Sequence, residues 1–263
     1  MTTASTAPHV ERRTIGGIDI ELVRCGTGTP LLLLHGFQNL APDGPFLAAL
    51  SQHAAVVAPS LPGFGGSGRP DGFDTPYDLA HHALDVLATL PDGPVNLVGL
   101  SFGGWIAAEV AIKAGRRIGR LVLVDAVGIK VSDRETPDIL DVFNSHPRDV
   151  LRASWHDAER AGPKYDDMED AALQNVSRNW AALGRYGWHP YLYNARLAAW
   201  LRRIQCPTLV LWGASDGIVK PSYGEAYARL IPGARFETIA AAGHHPEIEQ
   251  PQALAARIAA FLG

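Results

Sequence analysis

Cysteine is scarce in this chain, with only Cys25 and Cys206 among 263 residues. Two thiols allow at most one disulfide and no cysteine cluster of zinc-ligand spacing, so both are expected to be reduced and partly buried. A nucleophilic role for either would need a positioned base, and no motif supplies one. Charge is also sparse: Asp, Glu, Lys and Arg make up 19 %, and the net charge is −4. The cations are scattered, so no basic patch awaits a phosphate backbone, and nucleic acid is not expected as a partner. No apolar run approaches the roughly 18 residues that span a bilayer, and MTTASTAPHVERR lacks the apolar core of a signal peptide. A soluble, cytoplasmic protein without a membrane partner is expected. Internal repeats and low-complexity linkers are lacking too.

Hydrophobic residues, by contrast, amount to 47 %, enough for a large core in a single domain carrying an insertion. Residues 1–9 read as a loose tail. VERRTIGG and IDIELVRCG alternate as a hairpin turning at Gly16 and Gly17. PLLLLHG, AAVVAPS, VNLVGLS, RLVLVDA and TLVLWG are short, nearly continuous apolar runs, as in strands of a parallel sheet buried on both faces. Between them YDLAHHALDVLATL, GGWIAAEVAIKAG, SYGEAYARLI and QALAARIAAFLG carry helical spacing. The alternation predicts an α/β fold, a mostly parallel sheet with helices on both faces.

The alternation stops between about Gly128 and Arg203, where the sequence reads as helical and aromatic. Four of the six Trp fall there, Trp155, Trp180, Trp188 and Trp200, with Tyr165, Tyr186, Tyr191 and Tyr193. The expected division is a core of residues 10–128 and 204–263 with a helical cap inserted at 129–203. The cap aromatics are expected both to pack the insertion and to line an apolar pocket; Trp155, Trp180, Trp188 and Tyr191 are the pocket candidates. Replacing the cap is expected to change specificity rather than chemistry.

In VNLVGLSFGGWIAAEVA, Gly99, Ser101 and Gly103 form G-x-S-x-G between a buried strand and a helix. A turn this sharp strains the serine backbone and leaves no room for neighbouring Cβ atoms, which is why glycine flanks it. It pushes the hydroxyl outward, at a helix N-terminus whose unpaired N–H groups favour developing negative charge. GFGGSG at residues 63–68 has dinucleotide-loop spacing, but Leu61 and Pro62 separate it from the strand, and Pro70 and Gly72 stand where the phosphate-binding helix would start.

Together with HGF at residues 35–37, LPGFGGS at 61–67, WGASDGIV at 212–219 and AGHHPEIEQP at 242–251, this elbow resembles the α/β-hydrolase superfamily over essentially Val10 to Gly263. The order Ser, Asp, His agrees with that fold. The resemblance implies Ser101 as nucleophile, His244 as base and Asp216 as the acid that orients it, with the Phe37 and Phe102 N–H groups as oxyanion donors. Asp125, after RLVLVDA, is the alternative acid; otherwise it is expected to brace loop backbone. His35 is expected to brace its loop. His245 is expected to point into the pocket entrance or solvent and Gln38 to offer a polar contact to substrate or solvent, both as candidate pocket residues. No metal site is expected at the His244–His245 pair, for want of a third ligand at zinc spacing, and His81 and His82 are read as a solvated helix face. Where the family's second loop begins with Asp this chain has Ser60, which puts carboxylate bracing of that loop in doubt.

The chemistry implied is acyl transfer without a cofactor, through an acyl-enzyme on Ser101. Haloalkane dehalogenases and epoxide hydrolases resemble the chain too, but place Asp in the elbow. A small, largely apolar ester or lactone fits best. Two rivals stand beside it. Carbon–carbon bond hydrolases of aromatic ring-cleavage products share the triad and lid size, although HGFQNL lacks the glycine and proline that typically follow HG in that group. A low-turnover ligand receptor on the same fold is the other. Oligomeric state is not legible.

Overall fold

The computed structural model describes residues 7–133 and 135–263. Of the expected tail, residues 1–6 lie outside the described residues. His9 already belongs to β1 (His9–Ile15), paired with Arg24 of β2 (Ile18–Cys25). The hairpin turns at Gly16 and Gly17, whose φ values of +58° and +79° are those a two-residue primed turn requires.

The chain continues through β3 (Pro30–Leu34), α1 (Pro45–Leu50), β4 (Ala55–Pro59), α2 (Pro76–Ala88), β5 (Val95–Leu100), α3 (Ser101–Ala114) and β6 (Ile118–Val124). Then come α4 (Pro147–Ser154), α5 (Ala158–Ala161), α6 (Asp170–Gly187) and α7 (Leu197–Trp200). β7 (Thr208–Gly213), α8 (Pro221–Leu230), β8 (Arg235–Ile239), α9 (Pro246–Glu249) and α10 (Pro251–Leu262) complete it. The eight strands form one sheet in the order β1-β2-β4-β3-β5-β6-β7-β8. β1 pairs with β2, and β2 with β4, antiparallel; every other pairing is parallel.

Successive side chains leave the sheet on opposite faces, which divides the core in two. Leu32, Leu34, Leu97, Leu121 and Trp212 meet Leu79 of α2, Ile106 of α3 and Tyr227 of α8. Leu31, Leu33, Val98, Val122 and Leu211 meet Phe46 of α1 and Ile258 of α10 on the other side. β8 escaped the hydropathy reading because it is an edge strand whose only buried residue is Ile239. The two histidines of α2 part company: His81 is exposed, but His82 is buried with Nε2 3.2 Å from the Ile15 carbonyl, so this pair is not a solvated face.

Between β6 and β7 the chain leaves and returns at one place, where Gly128 bonds Leu192 and Asn194 through its N–H and carbonyl. The helices in between are tied to the sheet loops by several hydrogen bonds. Asn179 of α6 accepts from Gly65 N–H at 3.1 Å and donates to Asn39 Oδ1 at 2.8 Å, and Tyr186 donates to the Pro62 carbonyl at 3.0 Å. At the end of α4 the Ala153 carbonyl accepts from Gly217 N–H at 2.9 Å, and the Ser154 carbonyl accepts from His244 N–H at 2.7 Å. The Glu249 carboxylate accepts from the N–H groups of Gly243, His156 and Asp157, clasping the same junction.

Candidate active site

The buried strand β5 runs directly into α3, and the residue at the joint, Ser101, takes φ +48°, a left-handed conformation rare outside glycine. The elbow closes because its neighbours have no side chains. A Cβ on Gly99 would stand 2.5 Å from the Gly103 carbonyl oxygen, and one on Gly103 would stand 2.2 Å from that of His35.

The Ser101 hydroxyl lies 2.7 Å from His244 Nε2, and His244 Nδ1 lies 2.8 Å from Asp216 Oδ2. Asp216 follows β7 and its other oxygen accepts from the N–H groups of Ile218 and Val219 at 2.9 and 3.0 Å. With Nδ1–H directed at the carboxylate, Nε2 is left as an acceptor for the serine proton. Burial disfavours the charged ring, but the Asp216 charge and hydrogen bond prevail and raise the His244 pKa above 6.5. Asp125, after β6, lies close by without bonding the imidazole: its Oδ1 accepts from Gly213 N–H at 2.8 Å. Asp125, Asp216 and His244 each bring a ligand-type atom within 4.8 Å of the others. Both nitrogens of His244 are already committed within the hydrogen-bonded chain, so this group reads as a relay rather than as an open coordination sphere.

The His35–Phe37 loop passes so near the elbow that a Cβ on Gly36 would be 3.1 Å from that of Ser101. Phe37 and Phe102 both border the cavity in front of Ser101, and Phe102 N–H, in the first turn of α3, has no carbonyl within its helix to bond. His35 braces this loop. Its Nδ1 donates to the Gly36 carbonyl at 2.7 Å, and its Nε2 accepts from Leu61 N–H at 2.9 Å. Burial pushes its pKa down to about 4, against the Gly36 hydrogen bond, which keeps the ring neutral as this pattern demands. Where a carboxylate was missed, Ser60 accepts from Asn39 at 3.0 Å through Oγ and from Ser67 at 2.7 Å through its carbonyl. Hydroxyl and amide groups therefore brace the second loop. The stretch of residues 63–68 is followed by no helix until Pro76, unlike a dinucleotide loop.

Ser101 and His244 open into a cavity of about 530 Å³. Of the residues named as pocket candidates, Gln38, Trp155, Trp180 and His245 line it. His245 packs on Trp155 with ring centroids 4.7 Å apart, and its Nδ1 is 3.3 Å from Glu247. Trp188 and Tyr191 do not line it. Trp188 is 59 % exposed and packs edge-on against Phe143, while the Tyr191 hydroxyl bridges the Val142 N–H and the Leu140 carbonyl. Tyr165, another of the cap aromatics, borders it too, and walls the sequence did not point to include Val150 and Leu151 of α4 and Leu183 of α6. Glu249 was also overlooked as a clasp, although it stands within the AGHHPEIEQP segment at 242–251.

A family model described as the alpha/beta hydrolase family matches residues 31–257, and the chain belongs to that family. It is 29 % identical to a 2-hydroxymuconate semialdehyde hydrolase of Pseudomonas putida, covering 100 % of this chain and 97 % of the relative. To a poly(3-hydroxyalkanoate) depolymerase of Ectopseudomonas oleovorans it is 32 % identical, over 89 % of this chain and 84 % of the relative. A thermophilic esterase from Thermogutta terrifontis superposes with TM-score 0.69 at 27 % identity, over 97 % of this chain and 98 % of the other. This chain is a hydrolase, and no helix among its described residues is long and apolar enough to cross a membrane.

Proposed function

We propose that the chain is a serine hydrolase cleaving a small, largely apolar carboxylic ester or lactone. Ser101 attacks the carbonyl as His244 Nε2 takes its proton, and Asp216 holds the imidazole and balances its charge. The Phe37 and Phe102 N–H groups receive the oxyanion, and a water activated by His244 releases the acyl group. Residues 129–203 act as a cap on a core formed by 10–128 and 204–263. The observation that carries this reading is the Ser101–His244–Asp216 hydrogen-bonded chain opening into a cavity walled mostly by apolar side chains. The likeness to a polyester depolymerase and to an esterase supports it.

Carbon–carbon bond hydrolysis is the second reading, favoured by the likeness to 2-hydroxymuconate semialdehyde hydrolase over the full chain. An anionic substrate of that kind needs a cation or several donors to replace its water. Among the lining residues only Arg148 carries a fixed positive charge, and it is exposed. That is why the ester reading stands first. Purified protein assayed with p-nitrophenyl esters, lactones and a dienone ring-cleavage product separates the two. Higher kcat/KM on an ester or lactone is expected, and preference for the dienone would overturn the ester reading. Stoichiometric binding with no turnover of any of them would instead favour a receptor.

A further inference from the structure

Asp125 is the buried acid that the relay of Ser101, His244 and Asp216 leaves unused. It is 1 % exposed, and it holds φ +45°, which a non-glycine residue rarely adopts. Its N–H donates to the Leu211 carbonyl at 3.0 Å and its Oδ1 accepts from Gly213 N–H at 2.8 Å, so the backbone of β7 holds both the main chain and the carboxyl group of this residue. Its Oδ2 is buried and has no hydrogen-bond partner among the described residues. An orphaned carboxylate oxygen in such surroundings is costly, and a second carboxylate beside it raises the cost.

Comparison of the donor sets decides which acid carries the charge. Asp216 faces His244 Nδ1–H and the N–H groups of Ile218 and Val219, whereas Asp125 receives the Gly213 N–H alone. The better-solvated anion is Asp216, and the excess proton belongs on Asp125. Protonated there, Oδ2 becomes a donor, and the neighbouring acceptor is the Asp216 carboxylate, which brings an oxygen within 4.8 Å of one of the Asp125 oxygens.

We propose that Asp125 is a positioning residue, a neutral carboxylic acid whose Oδ2–H donates to the Asp216 carboxylate and holds it against His244. Its surroundings agree. Burial, followed by the Asp216 charge, pushes the Asp125 acid well above the ordinary carboxylate range; the Gly213 bond opposes this and Glu247 adds to it. The inference rests on reading Ser101, His244 and Asp216 as the triad. It differs from a substitute-acid role, because Asp125 acts on Asp216 and not on the imidazole.

The test compares wild type with Asp125→Ala, Asp125→Asn and Ser101→Ala on the best ester found. Removing the donor in Asp125→Ala is expected to lower kcat by about ten- to a hundredfold with KM little changed. The amide of Asp125→Asn can donate to Asp216 and accept from Gly213, and it is expected to restore kcat to within about tenfold of wild type. Since a neutral group replaces a neutral group, the acid limb of kcat/KM should keep its midpoint in Asp125→Asn. Were Asp125 ionised, its removal would take an anion from beside His244 and move that limb to lower pH, overturning the inference. Infrared spectra of wild type at neutral pH should contain the C=O stretch of a buried protonated carboxylic acid, lost in Asp125→Asn; absence of the band in wild type would also overturn it. Ser101→Ala separates the failures. If it abolishes turnover, an adverse Asp125 result falls on this inference alone, whereas full turnover in Ser101→Ala would sink the triad reading itself.

Discussion

Left-handed backbone at a serine costs about 1–3 kcal/mol, and Ser101 holds it at φ +48° because strand β5 and helix α3 leave no other path. Ser101→Ala keeps that strain while removing the hydroxyl, so kcat should fall about 10⁶-fold with the melting temperature little altered. Ser101→Gly should be as inactive yet more stable than Ser101→Ala, by about 1 kcal/mol in a denaturant titration, because glycine accepts positive φ. Equal stability of the two variants would show that the elbow is unstrained. Asp216→Asn should lose about 10⁴-fold in kcat through a misoriented imidazole. Asp125 contributes to stability with the opposite pH sense to a salt-bridged carboxylate. Its acid is raised in the folded state, so the folded protein binds more protons than the unfolded chain, and stability falls as pH rises from about the ordinary aspartate value of 3.8 towards the raised one. The stability of Asp125→Asn relative to wild type should therefore increase across that interval in thermal melts.

Elements buried on both faces were legible in the sequence, because a parallel strand such as TLVLWG is an unbroken apolar run and needs no context to be read. β8 was not, since RFETI at a sheet edge keeps its charges in water. The elbow was legible because turn chemistry is local, whereas the acid turn and the histidine loop were read through the resemblance of their motifs to the α/β-hydrolase family. Which aromatics face the cavity was not legible. That depends on how α4 and α6 pack over the sheet, and Trp180 and Trp188 differ in burial although both belong to the same stretch of chain. Trp180→Ala, which opens the wall beside Phe37, should shift preference towards longer acyl chains, while Trp188→Ala should leave the ranking of a chain-length series as it was. The expectation that cap replacement spares the chemistry also changes. Deleting residues 131–201 removes the Ser154 carbonyl from His244 N–H and two of the donors clasped by Glu249. Such a variant should label slowly with a phosphonate probe at Ser101, not merely lose selectivity. Glu249→Gln, which keeps the fold of α9 but weakens the clasp, should reduce kcat in the same sense by a smaller factor.

Across the whole molecule, the proposed mechanism makes the imidazole of His244 the group that sets the pH profile. The base must be neutral to accept the serine proton, and its pKa lies above the ordinary 6.5, so kcat/KM should fall on the acid side with a midpoint above 6.5. A midpoint well below that value would show that Asp216 does not support the imidazolium. The same raised pKa gives stability that is complete below 6.5 and declines as pH rises through the folded value. The junction at the end of α4 adds a thermal counterpart. Because the carbonyl that steadies the His244 backbone belongs to the helices above the sheet, and few contacts join α4 to the eight strands, these helices can loosen before the sheet does. Heat should then disarm the enzyme before it melts it: residual activity measured at temperature would vanish several degrees below the calorimetric transition and return on cooling, and a ligand filling the cavity would bring the two temperatures together.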